Sequence, residues 1–458
     1  MSALKILRIG LMVVILVTVL PFGAVDPFWF NLAALLNGLV FSATLAIPIR
    51  NLELLKVYRT ALFVIVSISA YLIFQSLHFP QNIFTNPIWD TVRDLLNVRT
   101  GAISVDPAGT IATIPTVVHP FLIFMAALVL LQSDEAALSF WRQLALAGVA
   151  LAAFGLAQYF FFPNSLLLTE KLHYLDSVTG TFVNRNSAAT FFGVATLLVA
   201  GTLIRFVQQY SMQRESSHLV PQVSDRKTQI ELILYVGFLL TTMLALFLTG
   251  SRGGLISTFL PLMLIAVWAA LLFSSSTTPV RARVGFVGAA AAILVLAFAI
   301  LGARSLLRLV RSGIEDDRWC VYRSTLSAIA DNPLFGTGFG TFSHVFPVYR
   351  TPDCGIGGVW DRAHNSFLEG YLGMGLPFAI VATFVLVYLL YVFQIGYRTR
   401  RRFRIIPLTG IAMLLLAVTH SLVDFSLQTP GVATYLAAAL GAAVPVSVAR
   451  RHSAKHFS

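Results

Sequence analysis

Residues 232–273 read LILYVGFLLTTMLALFLTGSRGGLISTFLPLMLIAVWAALLF. Two apolar runs in this stretch are separated by the turn Thr249-Gly-Ser-Arg-Gly-Gly254, and Arg252 is its one charged residue. A helix of about 20 apolar residues crosses the hydrocarbon core of a bilayer and satisfies its own backbone hydrogen bonds there. The stretch therefore predicts a membrane-spanning helical hairpin with an arginine at its turn.

The composition of the whole chain also indicates a membrane protein. Of its 458 residues, 57% are hydrophobic and 11% are charged, with a mean hydropathy of +0.80, whereas soluble domains contain roughly 25% charged residues. Positive cytoplasmic loops explain the net charge of +12, so no nucleic-acid partner is expected. Two cysteines, Cys320 and Cys354, are too few for a disulfide framework, although they could form one disulfide.

Apolar runs along the chain predict an all-α polytopic fold with about 12 transmembrane helices and both termini cytoplasmic. The first run lacks a small-residue cleavage site and is predicted to be a retained helix, not a signal peptide. The runs are residues 9–25, 28–47, 60–77, 114–131, 144–162, 187–206, 232–249, 254–273, 284–301, 366–393, 405–423 and 431–448.

The distribution of charge predicts the orientation. With a cytoplasmic N-terminus, the inner loops contain twenty of the 32 Lys and Arg residues and six acidic residues. The outer loops then contain twelve Lys and Arg residues and fourteen acidic residues. Basic residues are retained on the cytoplasmic side of a membrane. We therefore expect a multi-pass membrane protein with a cytoplasmic N-terminus, whose functional face lies on the outer side of the membrane.

Two outer segments are long enough to do more than connect helices, residues 78–113 and residues 302–365 between the ninth and tenth helices. The inner segment 208–231 is polar and is interpreted as an ordinary loop. We divide the chain into N-terminal helices 1–5 (residues 1–179), a second transmembrane domain (residues 180–449) that includes the loop 302–365, and a basic cytoplasmic tail (residues 450–458).

Arginines are concentrated at outer helix ends. Arg252 lies in a Gly-rich turn whose exposed backbone N–H groups suit an anion, although an arginine snorkelling beside a tight hairpin is the alternative. Arg318 and Arg323 open a predicted helix, where Arg318 could hold an anionic ligand or pair with an acidic residue at 315–317. Arg304, Arg308 and Arg311 instead fit an amphipathic helix on the membrane surface.

The segment Gly180-Thr-Phe-Val-Asn184-Arg185-Asn186-Ser187 adds one more outer arginine and two amides before the sixth helix. Asn184, Arg185 and Asn186 are candidate substrate-binding residues, while Asn186 or Ser187 could equally be the helix N-cap. Together with Arg252 and Arg318, this segment predicts an anionic, membrane-embedded substrate such as a lipid phosphate or pyrophosphate.

His364 at the outer mouth of the tenth helix is the candidate general base, because imidazole titrates near neutral pH. Glu369 lies about one turn further along, and Asp424 ends the eleventh helix on the same side, where it could orient His364 or neutralise an arginine. The outer loops contain no Asp-x-Asp pair or ligand cluster, so we predict neither a metal nor a cofactor. The turn Gly336-Thr-Gly338-Phe-Gly340 follows no strand, which argues against a nucleotide-binding loop.

These segments, in this order, resemble the bacterial O-antigen ligase and polymerase superfamily of integral membrane glycan transferases. The motifs are the segment 180–186, the turn 249–254, residues 318–340 and His364-Asn-Ser-Phe-Leu-Glu369. The resemblance implies a fold of the membrane glycosyltransferase C type that acts on undecaprenyl-pyrophosphate-linked glycans at the periplasmic face. It also implies that Arg252 and Arg318 hold the pyrophosphate, that His364 activates the acceptor hydroxyl, and that Asp424 lies near the same site.

The expected reaction is metal-independent transfer of a glycan to an acceptor hydroxyl, with inversion of the anomeric centre. The expected enzyme is an O-antigen ligase of lipopolysaccharide or exopolysaccharide biosynthesis, with a lipid or glycan acceptor. The alternatives are a polysaccharide polymerase, an oligosaccharyltransferase that modifies protein hydroxyls and, from another class, a secondary transporter. A transporter is disfavoured because no repeated halves are visible and the polar cluster lies at one surface, not at the midplane.

Overall fold

The computed structural model describes residues 3–80, 84–216, 226–273, 318–354 and 359–449. These residues form an all-α protein, as predicted, in which four two-residue strands pair into two small antiparallel sheets. The strands are β1 (Phe79–Pro80), β2 (Thr100–Gly101), β3 (Ser165–Leu166) and β4 (Thr169–Glu170).

Sixteen α-helices make up the described part of the chain. They are α1 (Ala3–Val19), α2 (Pro27–Thr44), α3 (Leu52–Ser76), α4 (Ile88–Leu96), α5 (Pro107–Ala112), α6 (Ile114–Leu130), α7 (Asp134–Phe161), α8 (Arg185–Ser216), α9 (Arg226–Leu248), α10 (Arg252–Phe273), α11 (Arg318–Asp331), α12 (Phe342–Tyr349), α13 (Ser366–Met374), α14 (Leu376–Thr399), α15 (Ile405–Ser421) and α16 (Pro430–Val448).

The chain is a multi-pass membrane protein. Within the described ranges, nine helical segments are long and apolar enough to span a bilayer, and each coincides with one of the predicted runs. Helices α1 and α15, of 17 residues each, account for two more predicted runs. The predicted run 284–301 and the predicted surface helix with Arg304, Arg308 and Arg311 lie outside the described residues.

Helices α8 and α16 form the centre of the bundle. In their apolar windows 89% and 83% of residues are buried, compared with 11% in α14 and 17% in α2 at the periphery. Small residues allow close approach, since a Cβ atom at Gly148 of α7 would lie 2.6 Å from Ala195 of α8 and from the Tyr435 hydroxyl of α16. The same hydroxyl donates to the Leu144 carbonyl at 2.7 Å.

Two sequence-based boundaries are wrong. The predicted tenth helix is broken into α13 and α14 at Gly375, whose φ of +65° a glycine adopts without strain. Pro377 in the first turn of α14 favours a new helix start there. The polar segment 208–231 is partly helical, because α8 continues to Ser216 and α9 already begins at Arg226. Helices extend beyond the hydrocarbon core, so hydropathy alone does not locate their ends.

The two ends of the bundle differ in which helix termini they contain. Helices α8 and α10 begin, and α1 and α15 end, at what we call the site end. Gly23 after α1 lies beside Phe182 before α8 and Thr429 before α16. At the opposite end, Asn51 before α3 donates to the Val448 carbonyl of α16 at 3.1 Å. This alternation of termini agrees with the predicted order of membrane crossings, and which end faces the periplasm stays a prediction.

At the site end, the first predicted outer segment packs against the turn 336–340. The Val105 N–H donates to the Thr337 carbonyl at 2.9 Å, and a Cβ at Gly338 would lie 2.2 Å from Ser104 Oγ. The Gln75 amide also donates to the Phe335 carbonyl at 2.8 Å. The Gly-rich turn is thus a packing feature, in agreement with its interpretation as a turn.

Candidate functional site

The centre of the candidate site is the connector between α15 and α16, residues 422–429. Asp424 in this connector is 1% exposed. Its carboxylate accepts a hydrogen bond from Asn186 Nδ2 at 2.6 Å and another from the Ser426 hydroxyl. A buried carboxylate needs such partners, so Asp424 links the connector firmly to the start of α8.

Arg318, the first residue of α11, reaches the same connector. Its guanidinium NH1 donates to the Val423 carbonyl at 2.8 Å, and the side chain is half-buried. The contact brings a positive charge next to Asp424 although the two residues are more than a hundred positions apart. The acidic residues 315–317, the alternative partners of Arg318, lie outside the described residues.

The start of α13 also rests on the connector. Asn365 caps the helix by accepting from the N–H groups of Phe367 and Leu368, and its Nδ2 donates to the Leu422 carbonyl at 2.8 Å. The Ser366 hydroxyl donates to the Asp424 carbonyl at 3.0 Å. These bonds determine where the preceding residue, His364, stands.

His364 is held in an uncommon backbone conformation, with φ of +52°. Its imidazole packs edge-to-face against Phe425 and Trp360, with ring centroids 5.0 Å and 5.6 Å away. Its carbonyl accepts a hydrogen bond from the Tyr322 hydroxyl of α11 at 3.0 Å. A strained conformation at a non-glycine residue persists only when its surroundings impose it, and it is typical of functional positions.

Arg252 is the first residue of α10 and its side chain is exposed. The turn before it is closed by Ser251, whose hydroxyl accepts from the Gly254 N–H at 3.2 Å. A Cβ at Gly253 would lie 2.9 Å from Val423 and 3.1 Å from the His420 ring. The glycine next to Arg252 therefore contacts the connector directly, and the turn 249–254 is part of the same cluster.

His420 belongs to this cluster, and sequence reasoning did not select it. The residue is 2% exposed at the end of α15, and its Nδ1 lies 2.5 Å from the Thr190 hydroxyl of α8. Asp424 and Arg318 are both close enough for their charges to act on it. Its nearness to Asp424, four residues later and just beyond the end of the same helix, is a signal that could have found it, although nothing in the sequence points to Thr190.

The residues of segment 184–186 have different roles, in helix capping and in the cluster around Asp424. Asn184 is the N-cap of α8, since its side chain accepts from the Asn186 N–H at 2.7 Å; the expectation that Asn186 or Ser187 caps this helix is wrong. Asn186 is left to bind Asp424. The Arg185 guanidinium lies over the Tyr174 ring, 5.1 Å from its centroid, in the outer loop before α8.

Glu369 and Arg323 are the remaining predicted substrate-binding residues. Glu369 is 7% exposed, and its carboxylate binds Arg362 NH1 at 3.1 Å and the Ala363 N–H at 2.9 Å. These bonds brace the loop that leads into His364. Arg323 has an exposed side chain on α11. The substrate-binding roles of both residues stay predictions.

A small outer core supports α11 and α12. The structure contains the disulfide Cys320–Cys354, whose Cα atoms are 5.3 Å apart, within an apolar cluster that includes Val321, Phe342 and Phe346. Beside it, the Tyr349 hydroxyl donates to Asp331 Oδ2 at 2.8 Å. Burial and this carboxylate together raise the pKa of Tyr349 to about 12. The outer segment is thus anchored as a unit with Arg318 on its first helix.

The arrangement combines positive charge with a group that can accept a proton. Arg318 lies on the connector, Arg252 starts the adjacent helix α10, and His364 stands on the same connector between two aromatic rings. Such a cluster can bind an anionic group and take up a proton nearby. In the described part of the chain, no group of three or more His, Cys, Asp or Glu side chains is arranged to hold a metal ion.

A known protein family matches the part of the chain that contains most of this cluster. Residues 237–383 match the family model described as O-antigen ligase, which confirms the resemblance inferred from the motifs. The matched range includes Arg252, Arg318 and His364, whereas Asn186 and Asp424 lie outside it. The family supports a role in lipid-linked glycan transfer in polysaccharide biosynthesis, by an enzyme of the membrane ligase or glycosyltransferase type. The search of curated proteins finds no match.

Proposed function

We propose that this chain, with its O-antigen ligase segment, transfers a glycan from an undecaprenyl-pyrophosphate carrier to an acceptor hydroxyl at the periplasmic face of the bacterial inner membrane. The donor and membrane lipids are its partners. The reaction needs neither a metal nor a cofactor, because arginines supply the positive charge. The acceptor is lipid or glycan, as in a ligase of lipopolysaccharide or exopolysaccharide biosynthesis.

One observation supports the proposal most strongly. Four segments that are far apart in the sequence, at Asn186, Gly253, Arg318 and Asn365, contact the single connector at residues 422–424. Three of these segments contain or adjoin a candidate catalytic residue. A purely structural bundle would not need arginines and a strained histidine to meet there.

Arginine side chains are suited to stabilising the negative charge of the leaving group. When the bond between the anomeric carbon and the pyrophosphate oxygen breaks, negative charge grows on the departing lipid pyrophosphate. Guanidinium groups bind phosphate oxygens through fixed, charge-assisted hydrogen bonds. Arg318, positioned by the Val423 carbonyl, and Arg252, at the start of α10, are the groups that we assign to this charge.

We assign His364 as the general base that takes the proton of the acceptor hydroxyl. As the acceptor oxygen forms its bond to the anomeric carbon, its proton passes to the imidazole of His364. Phe425 and Trp360 orient the ring, and Glu369 braces the loop before it through Arg362 and Ala363. A single displacement of this kind inverts the anomeric centre, and a product with the donor's anomeric configuration would contradict the mechanism.

Glycan transfer from a purified undecaprenyl-pyrophosphate oligosaccharide tests the proposal. The assay compares the wild type with Arg252→Ala, Arg318→Ala and His364→Ala in the presence of a chelator. Lipid A core, lipid-linked repeat units and no acceptor are offered in parallel. We expect chelator-resistant transfer by the wild type and a loss of roughly 100-fold or more in each folded variant.

The acceptor arms separate the related enzymes. Transfer to lipid A core indicates a ligase, and joining of lipid-linked repeat units indicates the alternative, a polysaccharide polymerase. Wild-type transfer in all three variants would mean that the residues are interfacial anchors and would refute the assigned site.

A further inference from the structure

Two cavities meet at the opposite end of the bundle, between α7, α8 and α9. The first has a volume of about 340 Å³ and a largely polar lining. Arg142 of α7, Arg205 of α8 and Lys227 of α9 line it, together with one carboxylate, Glu231. Three cationic groups and one acidic group give this cavity a formal excess of positive charge.

The second cavity, of about 280 Å³, continues the first. Arg142, Thr202, Glu231 and Tyr235 line both. From there the second cavity extends along apolar side chains, among them Val149 and Phe238. Because both residues lie about two helical turns closer to the middle of the bundle than Arg142 and Glu231, the cavity changes from polar to apolar with depth.

The apolar cavity is open to the side. Two of its lining residues, Leu146 of α7 and Leu234 of α9, are 50% and 49% exposed on helices that span the membrane. A molecule with a hydrocarbon chain can therefore enter from the lipid phase with its polar head at the bundle end.

Part of the polar cavity is already ordered for an anion. The Arg205 guanidinium is stacked over the Phe403 ring, 4.5 Å from its centroid. Stacking reduces the conformational entropy that the side chain loses on binding. Tyr235 adds a hydroxyl group at the boundary of the two cavities, where the ester groups of a lipid would lie.

We propose that this pair of cavities is a binding site for an anionic diacyl phospholipid, separate from the candidate catalytic site. The phosphate lies among Arg142, Arg205 and Lys227, and one acyl chain follows Val149 and Phe238 toward the middle of the membrane. Basic pockets between transmembrane helices recognise anionic lipid head groups in this way.

Native mass spectrometry of the detergent-solubilised full chain tests the site, with dioleoyl phosphatidylglycerol as the probe and dioleoyl phosphatidylcholine as the neutral comparison. The variant Arg142→Gln/Lys227→Gln removes two cations from the cavity at exposed positions. We expect it to bind phosphatidylglycerol about 25-fold more weakly, since each of the two basic residues contributes about fivefold near an anionic lipid.

The matched control is Arg59→Gln/Arg398→Gln, which removes the same charge from exposed side chains at the same end but outside both cavities. It should bind as the wild type does, within about twofold. Equal weakening in both double variants would mean diffuse electrostatic attraction, and wild-type binding by the cavity variant would mean that the lipid binds elsewhere. Either result overturns the proposal, as does equal affinity for the two lipids.

A further variant and a soluble competitor test the lipid part of the proposal. Leu234→Trp should obstruct the apolar cavity without changing its charge, and several-fold weaker phosphatidylglycerol binding is expected. Glycerol 3-phosphate should not displace the lipid at comparable concentration. Unchanged binding by Leu234→Trp together with full displacement by glycerol 3-phosphate would identify a soluble phosphate as the ligand and overturn the lipid assignment.

Discussion

The two ends of the bundle use arginine in different ways. At the site end, Arg318 is bound to a backbone carbonyl of a connector whose buried Asp424 is itself held by Asn186. At the opposite end, Arg205 is stacked on Phe403 and lines the polar member of a pair of adjoining cavities. The first arrangement is a network of directed hydrogen bonds between distant segments, and the second is a cationic surface around an empty volume.

The difference shows that charge alone does not identify a reaction site in a membrane protein. Positive residues are abundant at the opposite end, which the charge distribution predicts to be cytoplasmic, and such residues can bind lipid head groups. At the site end they are combined with a histidine, a buried carboxylate and aromatic rings that restrict their geometry. Catalysis needs groups held in place before the substrate arrives, and only the site end provides this arrangement among the described residues.

The sharpest test of this contrast removes one arginine from each end. Arg318→Gln should lower glycan transfer by roughly 100-fold or more, because the growing charge on the leaving pyrophosphate loses its partner. Arg398→Gln, an exposed arginine at the opposite end, should retain wild-type transfer. Initial rates with folded protein measure both, and equal losses would mean that the two ends do not differ as proposed.

A second comparison concerns buried and exposed carboxylates. Asp424→Ala leaves Asn186 and Ser426 without their acceptor in a buried place, so we expect a loss of about 3 kcal/mol in the free energy of unfolding. Glu53→Ala removes an exposed ion pair with Lys56 at the opposite end and should cost less than about 0.5 kcal/mol. Thermal unfolding in detergent measures the stability of both variants. Similar decreases in melting temperature for the two would contradict the assigned role of the connector.

The disulfide sharpens the comparison because it lies at the site end. Cys320→Ser/Cys354→Ser opens a loop of 34 residues, and we expect a loss of about 2 kcal/mol in the stability of the outer core. The protease resistance of residues 318–354 measures this loss of stability, with chemically reduced wild type as the control. Phosphatidylglycerol binding at the opposite end should not change; a parallel loss there would indicate global unfolding and not a local effect.

The smallest effect is expected at Tyr349. Tyr349→Phe removes the hydrogen bond to Asp331 and should cost roughly 0.5 kcal/mol near neutral pH. Because the folded-state pKa is raised to about 12, above the ordinary value of about 10, this contribution is complete below pH 10 and is lost as the pH rises toward 12. Unfolding of both proteins between pH 8 and pH 11 should show the difference shrinking only above pH 10.

The Phe variant is its own control for this prediction, since it has no phenol to titrate. A difference between wild type and Tyr349→Phe that stays constant up to pH 11 would show that the Asp331 contact does not depend on the phenol proton.

Much of the fold could be predicted because membrane helices follow from local composition. Hydropathy placed eleven of the twelve predicted runs on described helices, although helix ends differ from run ends by up to about ten residues. The turn with Arg252 was recognised from its glycines. The break at Gly375 was missed because the residues around it are apolar on both sides. The continuation of α8 to Ser216 was missed because a polar helix outside the bilayer resembles a loop in composition.

The candidate site could be predicted only in part, for the same reason. Arg252 and Arg318 were selected because arginines gather at the outer helix ends, His364 because imidazole titrates near neutral pH, and Asp424 because a carboxylate at the end of a membrane helix is a functional candidate. His420 was passed over, since a histidine inside an apolar helix gives no sign of its partners. Its partner Thr190 is 230 residues away in the sequence.

The sequence by itself determined that the chain crosses the membrane many times, where its charged residues are concentrated and which family its C-terminal half resembles. Each of these properties is a matter of composition, local period or motif order. The tertiary structure alone decided that the starts of α8, α10, α11 and α13 meet at one connector around Asp424. It also decided that α7, α8 and α9 leave a cavity at the other end. Both depend on long-range packing, since Asn186 and Asp424 are separated by 238 residues, and no local pattern encodes that distance.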